Sequence, residues 1–326
     1  MKGKLLALLK PTVTAVLFYI LFRKVDFHQF GQSLRNARLD VLFVSFLMLW
    51  LGHYICIFRW RMLMRPLLPV YSFANLFGIY CIGLFFNLAF PTAVGGDVVK
   101  MYYAGKPSRR YAQSFAATFL DRDSGMLAMM ILACAGILIH PLVLPRIPVA
   151  LIIWLASASF VVLNVAVFAP RFHLRLTGLL HNLRMPKIAA KVDAISDAFQ
   201  KIGKHWGALL GSLLISLVNQ FLVIAYVWVL ALALRIELSL VYFVIFVPVI
   251  TLISMIPISL NGMGLREYAF LGLFGAVGVP PAACLALGLL TSASLLLSAI
   301  PGGVIYLFFR DRQDARQLAA LESDFT

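Results

Sequence analysis

Charged residues are scarce in this chain. Asp, Glu, Lys and Arg together make up 13% of its 326 residues, whereas soluble domains carry about 25%. Hydrophobic residues make up 62%, and the mean hydropathy is +0.94. Apolar runs of about twenty residues recur, and each is long enough to cross a hydrocarbon core about 30 Å thick. The composition excludes a soluble domain and predicts an all-α polytopic membrane protein, with residues 1–326 forming one integral membrane domain.

Cysteine and acidic residues are also few. Cys56, Cys81, Cys134 and Cys284 lie in apolar runs without the spacing of a disulfide framework or a metal site, so no metal is predicted. The 13 acidic residues face 28 Lys and Arg, which gives a net charge of +15. These basic residues lie between apolar runs, so they indicate topology and anionic headgroups rather than nucleic acid. No Walker motif is present, and no cofactor is predicted.

About six apolar runs are long enough to span a bilayer. The first lacks the small-x-small cleavage site of a signal peptide, so we predict a retained helix. The predicted spans are 5–22, 39–58, 111–139, 147–169, 207–234 and 281–309. Two further runs, 72–90 and 241–258, each end in a proline–glycine break, and a shorter run, 265–277, follows the second break.

The only sizeable polar segment is 170–206. Apolar residues recur within it at helical spacing, and they are Ile188, Val192, Ile195, Phe199 and Ile202. This spacing predicts an amphipathic helix with a basic polar face that lies on the membrane surface. The helix is either a simple connector or a functional element, and the sequence leaves both interpretations open.

Orientation follows from placing this basic linker in the cytoplasm. The C-terminus is then cytoplasmic. The segment 72–105 must enter and leave the membrane on the cytoplasmic side, and 241–277 on the external side. The segment 23–38 becomes external although it has four basic residues, which conflicts with the same rule.

The two breaks resemble each other. PTAVGGDVVK aligns with PISLNGMGLRE at an offset of 166 residues. The aligned pairs are Pro91 with Pro257, Gly95 with Asn261, Gly96 with Gly262, Lys100 with Arg266, and His53 with Asn219 in the preceding spans. Because one extra span separates the units, 39–139 and 207–309 are predicted to form an inverted repeat. Each unit would be a span, a re-entrant broken-helix hairpin and a span, which is typical of transporters.

The breaks also predict a substrate site. Irregular backbone at membrane depth is tolerated only where it is buried in protein or lines a cavity, and N–H groups at a helix start can bind an anion. The predicted substrate-binding residues are Pro91, Gly95, Gly96, Asp97, Lys100, Asn261, Gly262, Gly264, Arg266 and Glu267. Lys100 and Arg266 would supply positive charge, and the two acids would pair with them or exchange protons. The alternative is that both breaks are ordinary re-entrant turns whose charges only satisfy each other.

A charged triplet lies in the span 111–139. Asp121, Arg122 and Asp123 are about 15 Å from its start, near the bilayer centre. Charges at that depth normally face protein or a wet cavity, so we predict that they form a gating or charge network with His53 and Asn219. Arg122 can pair closely with only one acid, which leaves the other for a partner helix or Lys100. Alternatively, the span begins near the triplet and these charges lie at the interface.

Several stretches across nearly the whole chain share the pattern of one family. They are FRKVDFHQFGQSL, RWRML, NLAFPTAVGGDVVKMYY, LDR, PISLNGMGLREYAF and AIPGG. The set resembles the flippase-like transmembrane domain of lysylphosphatidylglycerol synthases, although LDRDSGM is more acidic than the family pattern. The resemblance implies a bacterial or archaeal cytoplasmic-membrane protein that moves lipids between leaflets. The synthases continue into an aminoacyl-transferase domain, so we expect a stand-alone form without lysyl transfer.

These observations favour a lipid translocase rather than an enzyme. Its expected substrate is a phospholipid or a polyprenyl-phosphate-linked lipid with an anionic, phosphate-bearing headgroup. A second copy of the chain and a separate glycosyl- or lipid-modifying enzyme are further candidate partners. The alternatives are a membrane-embedded enzyme, with Asp97 as its acid, or an accessory subunit in lipid-linked glycan or aminoacyl-lipid synthesis.

Overall fold

The computed structural model describes residues 2–324 apart from 24, 70, 90–94, 140–146, 170–176, 178–184 and 257. These residues form twelve α-helices, two short 3₁₀ helices and no strand. The helices are α1 (Lys2–Arg23), α2 (Phe27–Arg35), α3 (Leu39–Met64), α4 (Phe73–Ala89), α5 (Gly95–Gly105), α6 (Tyr111–Ile139), α7 (Ile147–Phe168), α8 (Pro186–Gly203), α9 (Trp206–Ala233), α10 (Leu240–Ser254), α11 (Leu265–Gly275) and α12 (Pro281–Asp324).

All six predicted spans are helical. Three helices are long and apolar enough to cross a membrane by themselves: α3, α9 and the Pro281–Phe308 part of α12. Shorter apolar helical stretches occur at Thr12–Leu21, Phe73–Leu88, Ile153–Ala166 and Leu240–Ser254. The protein is an all-α polytopic membrane protein, as the composition predicted.

Two helix boundaries differ from the prediction. The segment 23–38 contains α2, which begins after Asp26, whose Oδ1 accepts a hydrogen bond from the His28 amide at 2.8 Å. Its nine residues include no long apolar run, so hydropathy did not predict it. Helix α3 continues to Met64, six residues past the predicted end, and therefore includes Arg59. Both differences arise because hydropathy detects the bilayer-crossing part of a helix and not the helix itself.

The predicted amphipathic helix is α8, but its apolar face packs on protein. Phe199 and Ile202 are buried, and the Phe199 ring lies 5.5 Å from the Phe119 ring of α6. The ends of α3 and α6 present an apolar surface that includes the buried Trp60, and α8 covers it. Ile188, at the start of the helix, is exposed. The prediction of a helix is confirmed, whereas the predicted position flat on the membrane holds for little of its apolar face.

The core is built around the contact between α3 and α9, the most extensive helix contact in the described residues. Helix α4 packs on α12, and α10 packs on α6. The first helix of each broken pair therefore contacts the last helix of the other half. The larger apolar cluster surrounds α9, α10 and α11, and includes Phe243, Phe246, Phe270 and Phe274. This packing brings the two breaks toward the centre of the chain.

Helix starts recur between the halves. Those of α3 and α9, and of α4 and α10, are 167 residues apart, and those of α5 and α11, and of α6 and α12, are 170 apart. By helix position, Lys100 corresponds to Phe270, whereas the sequence alignment at 166 pairs it with Arg266. Asp97 corresponds to Glu267, since each is the third residue of its helix. The repeat and its inverted orientation stay predictions.

Candidate functional site

A polar cavity of about 170 Å³ lies among α3, α4, α5 and α6. Its lining residues are Arg59, Tyr80, Gly83, Leu84, Asn87, Asp97, Lys100, Asp121 and Arg122. Five of these nine are charged, which is unusual for membrane-spanning helices because a charge at that depth costs several kcal/mol. The cavity thus has the polarity to hold water or a charged ligand.

Asp97 lies between two cations in this cavity. Its Oδ1 is 2.8 Å from Lys100 Nζ, and its Oδ2 is 2.6 Å from Arg122 Nε. Lys100 Nζ also lies 5.1 Å from the ring centre of Tyr80 and 5.6 Å from that of Trp60, where the faces of the rings attract a cation. The predicted pairing of Asp97 with Lys100 is confirmed. Both cations are neutralised by one acid, so the set has an excess of positive charge.

The triplet on α6 points in three directions, because successive helical residues turn by about 100°. Arg122 reaches Asp97 on α5. Asp121 Oδ1 accepts a hydrogen bond from Arg59 Nε of α3 at 2.7 Å. Asp123 faces Asn164 of α7. The triplet thus ties α6 to three neighbours, and one of its acids pairs with a partner helix as predicted.

Arg59 extends this network to α9. Its Nη1 donates to Ser216 Oγ at 2.7 Å, and Ser216 Oγ donates to Ser124 Oγ at 3.2 Å. Arg59, Asp121 and Ser216 are all buried. Breaking such a pair by removing one partner typically costs about 3–5 kcal/mol. The network joins both halves of the protein at the level of the polar cavity.

A larger cavity of about 320 Å³ lies between the two halves, bounded by α3, α9, α10, α11 and α12. Its lining is mostly apolar, and its polar members include His53, Asn219, Tyr226, Asn261 and Arg266. Asn219 Oδ1 and the Tyr226 hydroxyl are buried and have no hydrogen-bond partner among the described residues. Buried polar atoms are nearly always paired, so these two atoms have unused capacity to bind a ligand or water.

Arg266 brings a cation to this larger cavity. Its Nη1 donates to Ser292 Oγ at 3.0 Å. No carboxylate of a described residue lies within salt-bridge distance of it. The neighbouring Glu267 instead accepts hydrogen bonds from Ser292 Oγ at 2.5 Å and from the Gly264 amide at 2.6 Å. Arg266 is thus more available to an anionic ligand than Lys100 is.

Tyr80 lines both cavities. Its hydroxyl lies 3.5 Å from His53 Nδ1, and His53 Nε2 lies 3.3 Å from Ser298 Oγ of α12. The Tyr80 and His53 side chains therefore form the partition between the polar cavity and the larger one. His53 and Asn219, which the sequence placed in a gating network, line the same cavity.

At the first break, the glycines permit close helix packing rather than a reversal. Pro91 lies outside the described residues, and Gly95 and Gly96 already belong to α5. A Cβ on Gly96 would lie 1.9 Å from the Gly83 carbonyl oxygen of α4, so only glycine fits. The Gly96 amide donates to Asn87 Oδ1 at 2.8 Å. This amide, predicted to hold an anion, is satisfied by a side chain here.

At the second break, the backbone does reverse. Asn261, Gly262 and Gly264 have φ angles of 48°, 75° and 80°, the left-handed region that glycine and asparagine tolerate best. Pro257 lies outside the described residues. The Gly264 amide is capped by Glu267, so the second predicted anion donor is also occupied.

Four residues of the site were not predicted from the sequence. Arg59 was assigned to a cytoplasmic loop with its basic neighbours, although its adjacent Trp60 is an apolar residue that favours a longer helix. Tyr80, Asn87 and Ser292 are uncharged residues within apolar runs, and only the folded contacts distinguish them from other helical residues.

A family model described as the lysylphosphatidylglycerol synthase TM region matches residues 7–303. The chain belongs to this family. Membership of the lysylphosphatidylglycerol synthase TM family confirms the resemblance drawn from the proline–glycine stretches, and it indicates a membrane protein with a lipid-related function. No curated protein and no solved structure matches the chain.

Proposed function

We propose that this protein translocates a lipid with an anionic, phosphate-bearing headgroup between the leaflets of a bacterial or archaeal cytoplasmic membrane. The observation that supports this most directly is the pair of adjoining cavities. Each is lined by a cation from the short helix after a break, Lys100 on α5 and Arg266 on α11. Tyr80 contacts both cavities, so a headgroup would pass from one cation to the other past a single side chain.

The cost of the buried charges supports a functional role. Five charged side chains line the polar cavity, and replacing buried ion pairs with apolar residues is often neutral or stabilising. Ionisable residues within the membrane are therefore a default indication of a substrate or ion pathway. The cations would bind phosphate by charge-assisted hydrogen bonds, and Asp97 would exchange Lys100 for the substrate's release.

An apolar groove of about 130 Å³ supports a lipid rather than a soluble anion. It lies between α5 and α6 and is lined by Val98, Met101, Phe115, Thr118 and Phe119, with Asp97 and Arg122 at one end. Val98 and Phe119 are exposed on the protein surface. In this proposal an acyl chain follows the groove while the headgroup reaches the charged end.

The two short helices support an inverted pair of re-entrant hairpins. Both α5 and α11 have 11 residues, about 17 Å of helix and too short to cross the hydrocarbon core. With the basic linker in the cytoplasm, the first hairpin would open to the cytoplasm and the second to the outside, and the C-terminus would be cytoplasmic. Transport would be downhill or driven by a gradient.

Vesicles that contain only the purified protein test this function. Fluorescent phosphatidylglycerol and a fluorescent polyprenyl phosphate would be supplied in separate arms, and the fraction open to an impermeant quencher would be followed over time. We expect faster exposure than in empty vesicles, and slower exposure with Lys100→Gln or Arg266→Gln. A phosphatidylcholine probe is the matched control for headgroup charge.

The same experiment separates the alternatives. An enzyme would alter the mass of the lipid, which mass spectrometry of the recovered probe detects. An accessory subunit would leave the lipid where it was and as it was. Absence of movement with every anionic probe would contradict the proposed function.

A further inference from the structure

The two halves hold their corresponding acids differently. Asp97 and Glu267 are each the third residue of the helix that follows a break. Asp97 is neutralised by Lys100 and Arg122. At the same helical positions the second half has Phe270 and Ser292, both uncharged. Glu267 thus lacks counterparts of the two cations that neutralise Asp97.

Glu267 is enclosed as well as unpaired. It has no exposed surface, and its two described partners, the Gly264 amide and the Ser292 hydroxyl, are neutral. A Cβ on Gly288 of α12 would lie 3.1 Å from Glu267 Cα and Cγ, so the backbones of α11 and α12 are already close. Removing a carboxylate from water without a salt bridge favours its protonated form.

We propose that Glu267 takes up and releases a proton, and that uptake accompanies the binding of an anionic headgroup at Arg266. This inference rests on the proposed function and names the ion that drives it.

Ser292 couples the two groups. Arg266 Nη1 donates to Ser292 Oγ, which donates to Glu267 Oε1. While the cavity holds no anion, the positive charge of Arg266 offsets the carboxylate through this link. A phosphate on Arg266 cancels that positive charge, and the carboxylate then gains a proton from cavity water through the Ser292 hydroxyl. Ser292 has two lone pairs, so it accepts from both Arg266 and the protonated acid. Its own hydrogen turns toward a carbonyl one turn earlier in α12. When the headgroup leaves, the proton returns to water.

No other described group near Glu267 explains a transition around neutral pH. Helix α10 has no charged residue. From α12 the neighbours are Thr291 and Ser292, and from α1 the described side chain nearest the break is Thr14, which accepts a hydrogen bond from the Leu260 amide. Tyr226 of α9 lies near Arg266, and a phenol ordinarily titrates near 10. Glu267 is therefore the carboxyl group that the test must observe.

Infrared difference spectroscopy tests protonation without requiring transport. The full chain would be titrated in phosphatidylcholine nanodiscs, with glycerol 1-phosphate as the probe anion. We expect the carbonyl band of a protonated acid, absent in Glu267→Gln, displaced in Glu267→Asp and retained in Asp97→Asn. Saturating probe should raise the midpoint of this band by about one pH unit. In Arg266→Gln the midpoint should not respond to the probe.

Each contrary result has a definite meaning. If no protonated-acid band depends on Glu267 at any pH where the protein stays folded, then Glu267 is a permanently ionised helix cap and the inference is overturned. A band that ignores the probe in the unaltered protein overturns the coupling to Arg266. Lipid movement in vesicles without protonation of Glu267 would leave the proposed function standing, whereas protonation without lipid movement would do the reverse.

Discussion

Asp97 organises the polar cavity at the scale of single residues, because one carboxylate contacts both Lys100 and Arg122. The two cations are not equivalent in what they leave behind. Loss of Lys100 leaves Asp97 paired with Arg122, whereas loss of Asp97 leaves two buried cations together. The stability of the cavity should therefore depend more on the acid than on either base.

This difference predicts the order of three variants. Asp97→Asn should lower the free energy of unfolding by about 3–5 kcal/mol, because it leaves buried charges uncompensated. Lys100→Gln should cost less, and the double variant should be more stable than Asp97→Asn alone. Unfolding in detergent measures all three. Equal losses in the two single variants would show that Arg122 does not hold Asp97.

Headgroup binding by the same variants assigns the role of Lys100. A stable double variant that no longer binds phosphatidylglycerol would place Lys100 in the binding site, which is the outcome that we expect. Recovery of both stability and binding would mean that Lys100 only balances Asp97.

At the scale of helices, α5 depends on its close approach to α4. The Gly96 position faces the Gly83 carbonyl, and this carbonyl belongs to helix backbone that cannot move alone. The approach also brings Gly96 to Asn87, and it places Asp97 and Lys100 at the polar cavity. A wider spacing would displace both charged side chains from Arg122.

Gly96→Ala should therefore reduce both stability and lipid transport. The matched control is Gly272→Ala on α11, where a Cβ would meet no atom within 4 Å. That variant should be neutral or more stable by up to about 1 kcal/mol, because alanine favours helix over glycine. Melting temperature in detergent and vesicle transport would be measured for both. Equal behaviour of the two variants would argue against a packing role for Gly96.

The sequence predicted the helices better than their partners. Long apolar runs are a direct consequence of bilayer thickness, so the spans and the two breaks were evident. The partner of Asp97 on α6 was not, since Arg122 and Asp123 are adjacent and only the rotation of the helix selects between them. The correspondence of Glu267 with Asp97 was hidden by a three-residue shift between the halves. Alignment of letters paired Arg266 with Lys100, whereas helix starts pair Glu267 with Asp97.

At the scale of the whole molecule, orientation is the property on which the transport proposal depends. The turn after α5 and the segment before α10 are predicted on opposite sides of the membrane. Pro107 and Ser239 are exposed in these two places.

Single cysteines at Pro107 and Ser239 test this orientation. On a background without the four native cysteines, we expect an impermeant thiol reagent to label position 107 only from the cytoplasm and position 239 only from outside. The control is labelling after membrane permeabilisation, which should reach both. If one side reaches both positions in intact cells, the hairpins are not inverted.

The contact between α3 and α9 has a mechanical consequence. Gly52 and Asn219 lie at the same position of these two helices, 167 residues apart, and Asn219 Oδ1 is 3.2 Å from where a Cβ on Gly52 would be. When two halves are related by a two-fold axis, a contact between equivalent residues places that axis through the contact. A point on the axis stays still while the halves exchange conformations, so the crossing acts as a fulcrum. Displacement would then be smallest at Asn219 and would grow toward the outer ends of α5 and α11.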